Sequence, residues 1–291
     1  EALQGGKTVL ADRPVATTRA EVQRLFALAR QTGRMLLTAL PGRPGYTFSS
    51  VTLAMLSSAS HITIRRLHPG ETAAQATAMS RPKPGEPSLP RPASSNRLAN
   101  AAPIMEAGEQ VVRDVLLEAA MGDLFAVNFC MCMRPQEAQA KVRADDPSGL
   151  ELLLSYPNGT EVRVLCGLGQ LDMEDQQFTL WGSRLAEMQR IDHMRRVDMY
   201  DQSGGDGPSG APEGDRDCLR FTQHYEDSHK DVLEQVYAVA SGHKDFASRV
   251  RPHLMEQNCV DCITLAEACY RSLTSGGGSV PVNYSQACVF C

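Results

Sequence analysis

Apolar positions along the first forty residues change period twice. Thr8-Val9-Leu10-Ala11 is a short apolar run that predicts a strand leading into Asp12-Arg13-Pro14. Thr18, with Glu21 three residues on, forms a capping box, and Val22, Leu25, Phe26 and Ala29 follow at i, i+3, i+4 and i+7. That spacing predicts an amphipathic helix, closed by Gly33. Met35–Leu40 is a second apolar run. Strand, helix and strand with short joints make one βαβ unit, which implies parallel pairing and a right-handed crossover. One such unit cannot bury both faces of a sheet, so the expectation is that the rest of that sheet lies upstream or is missing.

Further on, the pattern predicts a short helix around Phe48–Leu56 and a strand at His61–Arg66. Five prolines between Arg81 and Pro92 mark a loop or insert. Val111, Val112, Val115, Leu116, Ala119 and Ala120 predict a helix over 106–121, ending near Gly122. Strand-like runs follow at Leu124–Met133, Leu150–Ser155, Val162–Cys166 and Phe178–Trp181. Tyr156-Pro-Asn-Gly159 reads as a turn that makes an antiparallel hairpin of the middle two. Gln202–Arg216 is rich in Gly, Pro and Asp and reads as another loop, before helices over Asp231–Ala240 and Cys262–Leu273. Gly276-Gly277-Gly278 follows a helix, which suits a C-cap turn. The expected fold is α/β: a remnant of a parallel Rossmann-type βαβ unit, then an α+β domain with a large open, mainly antiparallel sheet. Met105–Cys291 is expected to supply that sheet, with helices on one face. The boundaries expected are 1–42 for the remnant, 43–285 for the second domain (mobile insert 80–102, mobile loop 202–216) and 286–291 for a tail.

Composition narrows the classes. The 291 residues are 42% hydrophobic, enough for a core, and 22% charged, which argues against wholesale disorder. Lys and Arg total 29 against 34 Asp and Glu, a formal charge of −5 with no long basic run, so no nucleic-acid partner is expected. No stretch approaches the roughly 18 apolar residues a membrane helix needs, so no membrane partner is expected either. The chain begins at Glu1 with nothing like a signal peptide, and it is expected to start inside a longer cytoplasmic sequence. The sequons at Asn158 and Asn283 would matter only in a secreted protein.

Nine cysteines are too dilute for a disulfide scaffold. The C-x-x-C pairs Cys259/Cys262 and Cys288/Cys291 have the ligand count of a zinc ribbon, but 25 residues separate them, against a usual 15–20. Cys262 and Cys269 fall at i, i+7 in an apolar helical run. Reduced buried thiols are the expectation, and no metal site is assigned.

The segment Glu1-Ala2-Leu3 … Gly6-Lys7 … Val9-Leu10-Ala11-Asp12-Arg13-Pro14-Val15-Ala16-Thr17-Thr18 … Glu21 resembles a stretch of the Gfo/Idh/MocA oxidoreductase family that reads E-A-L-x-x-G-K-x-V-x-x-E-K-P-x-A-x-T. The likeness continues at Arg43-Pro44-Gly45-Tyr46-x-Phe48, returns from Arg220-Phe221 to Asp231-Val232-Leu233, and ends at Ala266-Glu267-Ala268 … Ser272 … Gly278 … Val280. The pieces occur in the family's order along most of the chain. The resemblance implies NAD- or NADP-dependent oxidation of CH–OH groups in sugars, cyclitols or diols, with a homo-oligomer formed through the open sheet face.

Three departures qualify what the resemblance carries. No G-x-G-x-x-G follows a strand, so the dinucleotide fingerprint is absent from these residues. Asp12-Arg13-Pro14 stands where the family has E-K-P. The likeness assigns these three to the cofactor, but arginine keeps its charge and cannot act as acid or base, though it could hold a substrate oxygen. The family's D-x-G-x-H-x-x-D helix best matches Glu106-Ala107-Gly108-Glu109-Gln110 followed by Asp114. Gln110 thus replaces the proton-accepting histidine and has no usable pKa near neutrality. By resemblance Arg13, Gln110 and Asp114 are the catalytic candidates and Glu106 a substrate contact. The alternative is a catalytically inactive relative serving as a binding or oligomerisation module, and this chain alone is expected not to turn over a nicotinamide cofactor.

Overall fold

A computed structural model of the chain describes residues 1–11, 14–38, 56–67, 103–124, 127–128, 131–144, 146–168, 175–182, 198–199, 218–224, 237 and 252–285. Strand β1 (Val9–Ala11) pairs in parallel with β2 (Leu36–Thr38), Val9 opposite Leu36, and helix α1 (Arg19–Thr32) makes the crossover. The capping box forms: Thr18 Oγ1 accepts the Glu21 backbone N–H at 3.3 Å and donates to the Glu21 carboxylate at 2.9 Å. Val22, Phe26 and Ala29 are buried, and Gly33 closes the helix at φ 64°, a backbone that glycine adopts without strain.

The large sheet has the order β10-β4-β5-β6-β3-β7-β9-β8. Its strands are β3 (His61–Leu67), β4 (Glu137–Val142), β5 (Gly149–Ser155), β6 (Glu161–Gly167), β7 (Asp175–Trp181), β8 (Asp198–Met199), β9 (Cys218–His224) and β10 (Val280–Pro281). All neighbours pair antiparallel except β3 and β6, which run parallel with His61 opposite Glu161. The sheet is therefore mixed, and the chain has an α/β architecture. The Tyr156–Gly159 turn closes the β5–β6 hairpin, with Gly159 at φ 85°.

Alternation decides the two faces of the sheet. Ala138, Ala140, Leu150, Leu152, Leu154, Val162, Val164, Ile62, Ile64, Phe178 and Leu180 are buried on the helix side. Lys141, Glu151 and Arg163 alternate with them, and Glu151 sits between the two cations, 3.8 Å from Lys141 Nζ and 2.8 Å from Arg163 Nε. His61 lies 3.2 Å from Glu161.

Helix α2 (Glu109–Ala119) buries Val112, Val115, Leu116, Leu117 and Ala119, then widens into a π-helical turn over Ala120–Leu124. Helix α3 (Pro252–Thr274) is buried on nearly every side of its middle, where Cys259, Val260, Cys262, Ile263, Leu265, Ala266, Ala268 and Cys269 are all buried. A helix buried all round must be covered all round, and α3 touches β4, α2 and α1. The small Ala138 and Ala140 let it approach the sheet closely enough for Ser272 Oγ to accept the Ala140 backbone N–H at 2.9 Å. Ion pairs Arg19–Glu267 and Arg30–Glu256 clamp both ends of α1 antiparallel along α3.

Several expectations change. The described residues of Leu124–Met133 are not a strand: Leu124, Val127 and Met131 are buried at i, i+3 and i+7, a helical spacing, and residues 127–128 and 131 are helical. The strand there is β4, whose inward alanines carry too little hydrophobicity to stand out. The sheet is not confined to Met105–Cys291, because β3 sits between β6 and β7. The final helix starts at Pro252, ten residues before the expected Cys262. Residues 48–55, 80–102, 202–216 and, apart from Tyr237, 231–240 lie outside the described residues.

Candidate functional site

Three helices meet above the sheet. The segment Pro14–Thr18, which follows β1, delivers Thr17 and Thr18 to the N-terminus of α1; α2 presents Gln110, Arg113, Asp114 and Leu117; α3 presents Ile263, Ala266 and Glu267. Between them lies a cleft of about 180 Å³. Its floor is apolar and its rim is polar.

Two predicted site residues, Gln110 and Asp114, therefore share one cleft. One turn apart on α2, they are joined by a hydrogen bond from Gln110 Nε2 to Asp114 Oδ1 at 2.8 Å. Pro14 is half-buried in the segment leading to Thr17. Glu106 is exposed in the short 3-10 turn before α2 and does not line the cleft. Asp12 and Arg13 lie outside the described residues.

Sequence reasoning missed Thr17, Thr18, Arg113 and Glu267 as cleft residues. Arg113 Nε donates to Glu109 Oε1 at 2.8 Å, one turn earlier, and its guanidinium stacks 4.3 Å from the Tyr270 ring centroid. The i, i+4 Glu–Arg spacing was visible in the sequence, but Tyr270 lies 157 positions away and its contact was not. Glu267 belongs to α3 and pairs with Arg19 of α1.

A second polar cluster is buried away from this cleft. Arg134 Nε lies 2.7 Å from Asp261 Oδ2, and both side chains are almost wholly buried. Gln257 Nε2 donates to Asp261 Oδ1 at 2.7 Å, and Tyr284 stacks on Arg134 at 4.8 Å. Desolvation pushes the Asp261 carboxyl up from 3.8 to about 6, against the opposing pull of the Arg134 charge and the hydrogen bonds. Burial likewise pushes the Cys259 and Cys269 thiols up to about 12. Cys262 Sγ donates to the Ala120 carbonyl, so the described thiol pair of the first C-x-x-C is packed into the core. Among the described residues no group of three or more His, Cys, Asp or Glu is placed to hold a metal, and Cys288 and Cys291 lie outside them. No helix among the described residues is long and apolar enough to cross a membrane.

The chain has the fold of inositol dehydrogenase and related Gfo/Idh/MocA oxidoreductases, and the resemblance read from the sequence holds at the level of the fold. It is similar to an inositol dehydrogenase homologue from Azotobacter vinelandii, solved with NADH and myo-inositol, at a TM-score of 0.54 and 14% identity, covering 96% of this chain and 73% of that one. An oxidoreductase from Pseudomonas syringae matches with a TM-score of 0.54 at 14% identity over 97% and 74% of the two chains. UDP-N-acetylglucosamine 3-dehydrogenase from Acidithiobacillus ferrooxidans matches with 0.52 at 12% identity over 94% and 73%. No protein-family model matches the sequence, and no curated protein matches it.

Proposed function

We propose that this chain binds a sugar, cyclitol or diol in the α1–α2–α3 cleft, on the frame of NAD(P)-dependent oxidoreductases of CH–OH groups, and that these residues alone do not turn over the cofactor. In this reading residues 1–42 correspond to the nucleotide-binding part and 43–285 to the sheet domain. The observation that carries it is the Gln110–Asp114 hydrogen bond in a cleft that Thr17 and Thr18 also line. Amide, carboxylate and hydroxyl groups together can donate to and accept from several hydroxyls of one ring. The apolar floor of Leu117, Ile263 and Ala266 suits the ring's C–H face.

A dinucleotide's pyrophosphate does not fit the described residues. Such an anion is held by a glycine-rich turn and the free N–H groups of a helix N-terminus. Between β1 and α1 the sequence has no glycine, the first turn of α1 carries the Glu21 carboxylate, and the Glu21 N–H is already bonded to Thr18. Gly276 and Gly277, at φ 92° and 80°, follow the C-terminus of α3, where the helix dipole repels anions. Gln110 also has no proton to exchange near neutrality. These points favour the binding-module reading over a self-sufficient enzyme. Asp12, Arg13 and Pro14 remain the residues assigned to a nicotinamide by resemblance.

Fluorescence titration with NADH and NADPH, and turnover with a polyol panel, test this reading. The expected result is no micromolar cofactor binding and no turnover by the 291 residues. Micromolar binding or turnover would overturn it. The exposed sheet face, with its alternating Lys141, Glu151 and Arg163, is proposed as the homo-oligomer surface. Sedimentation should show an assembly that Arg163→Glu weakens, and a wild-type monomer would dismiss that part.

A further inference from the structure

We infer that the cleft prefers a ring bearing an ammonium group, an amino sugar or aminocyclitol, over its neutral polyol and rejects phosphorylated or carboxylated sugars. This rests on the cleft reading above and goes beyond it by assigning the charge of the ligand.

The inference comes from accounting for each charge at the cleft. Arg113 is occupied twice, by the Glu109 carboxylate at its Nε and by the Tyr270 ring against its plane. Glu267 is occupied by Arg19. Both pairs are neutral as units, so neither adds net charge to the cleft. Asp114 is different. It is half-buried, its Oδ1 accepts only the neutral Gln110 amide, and its Oδ2 has no partner among the described residues. Among the described residues the cleft is therefore left with one uncompensated negative charge beside an apolar floor.

Hydrogen bonds to a charged group are stronger than neutral ones, and the gain rises where water is partly excluded. An ammonium placed among ring hydroxyls would supply the missing counter-charge for Asp114, while a phosphate or carboxylate would face that carboxylate instead. At about 180 Å³ the cleft is smaller than the range for drug-sized ligands, which suits a single monosaccharide ring.

The test uses the full chain and three ligands on one ring: D-glucose, D-glucosamine and D-glucose 6-phosphate, titrated by NMR at about pH 6.5, below the deprotonation range of a primary amine. Glucosamine is expected to bind on the order of tenfold tighter than glucose, and glucose 6-phosphate more weakly than either. Asp114→Asn should bring glucosamine level with glucose, because the amide keeps the shape and removes the charge. Thr17→Trp, at an exposed rim position, should block all three. Equal binding of glucose and glucosamine, or tighter binding of the phosphate, would overturn this inference and leave the cleft reading standing. Binding of none of the three, or binding that Thr17→Trp leaves unchanged, would overturn both.

Discussion

Asp261 should make the fold more stable in mild acid than at neutral pH, opposite to the behaviour of a carboxylate stabilised by its ion pair. Its neighbours are Arg134 at 2.7 Å and Gln257 at 2.7 Å, and the Tyr284 ring stacks on that guanidinium. The carboxyl is raised to about 6 in the fold from an ordinary 3.8, so burial outweighs the pairing. A raised pKa means that the folded state binds the proton more tightly. The contribution is therefore fully present below pH 3.8 and is lost as pH rises through 6. At 1.36 kcal/mol per unit, the shift from 3.8 to about 6 corresponds to about 3 kcal/mol. Urea unfolding of wild type and Asp261→Asn between pH 4 and 8 isolates this term, because other titrating groups cancel in the difference. Wild-type stability minus that of Asp261→Asn should fall by about 2.5 kcal/mol across the range, since at pH 4 part of the full effect is already lost. Arg134→Met should cost about 3–5 kcal/mol at pH 7, and adding Asp261→Leu should recover most of it. A difference curve that is flat, or that rises with pH, would refute the reasoning and show that Arg134 holds the carboxyl down.

Other perturbations follow from single contacts. Ser272 is fully buried, accepts the Ala140 N–H at 2.9 Å and donates to the Gly278 carbonyl at 2.5 Å; Ser272→Ala orphans both groups and should cost about 1–3 kcal/mol in chemical denaturation. Gly167 faces Gly149 across β5–β6, and a Cβ there would meet the Ser148 carbonyl at 2.7 Å and Gly149 Cα at 2.8 Å. Gly167→Ala should lower stability by about 1–3 kcal/mol, read as a reduced melting temperature, since backbone cannot step aside as a side chain can. Among the described cysteines, Cys132 is exposed while Cys166, Cys259, Cys262 and Cys269 are buried. Mass spectrometry after brief thiol labelling at pH 8 should find Cys132 modified and those four protected until the chain unfolds; labelling of Cys259 in the native state would contradict its packing.

Patterns whose cause is local were legible in the sequence. The capping box of Thr18 and Glu21, the αL stop at Gly33, the turn at Tyr156–Gly159 and the alternation in β5 and β6 each rest on contacts within a few residues, so period and turn chemistry suffice to place them. The same holds for Gln110 and Asp114, one helical turn apart on a helix that the sequence did reveal. Burial alone decided the rest. Glu137–Val142 becomes a strand because Ala138 and Ala140 must be small beneath α3, a requirement imposed by a helix more than a hundred residues later. Leu124–Met133 looked extended by composition, but its described buried positions, Leu124, Val127 and Met131, follow a helical spacing. The parallel pairing of β3 with β6 joins segments a hundred residues apart. Thr17, Gln110 and Glu267 reach one cleft only because α1 and α2 both pack on α3. Such arrangements depend on which surfaces exclude water together, and no window along the chain contains both sides of those contacts.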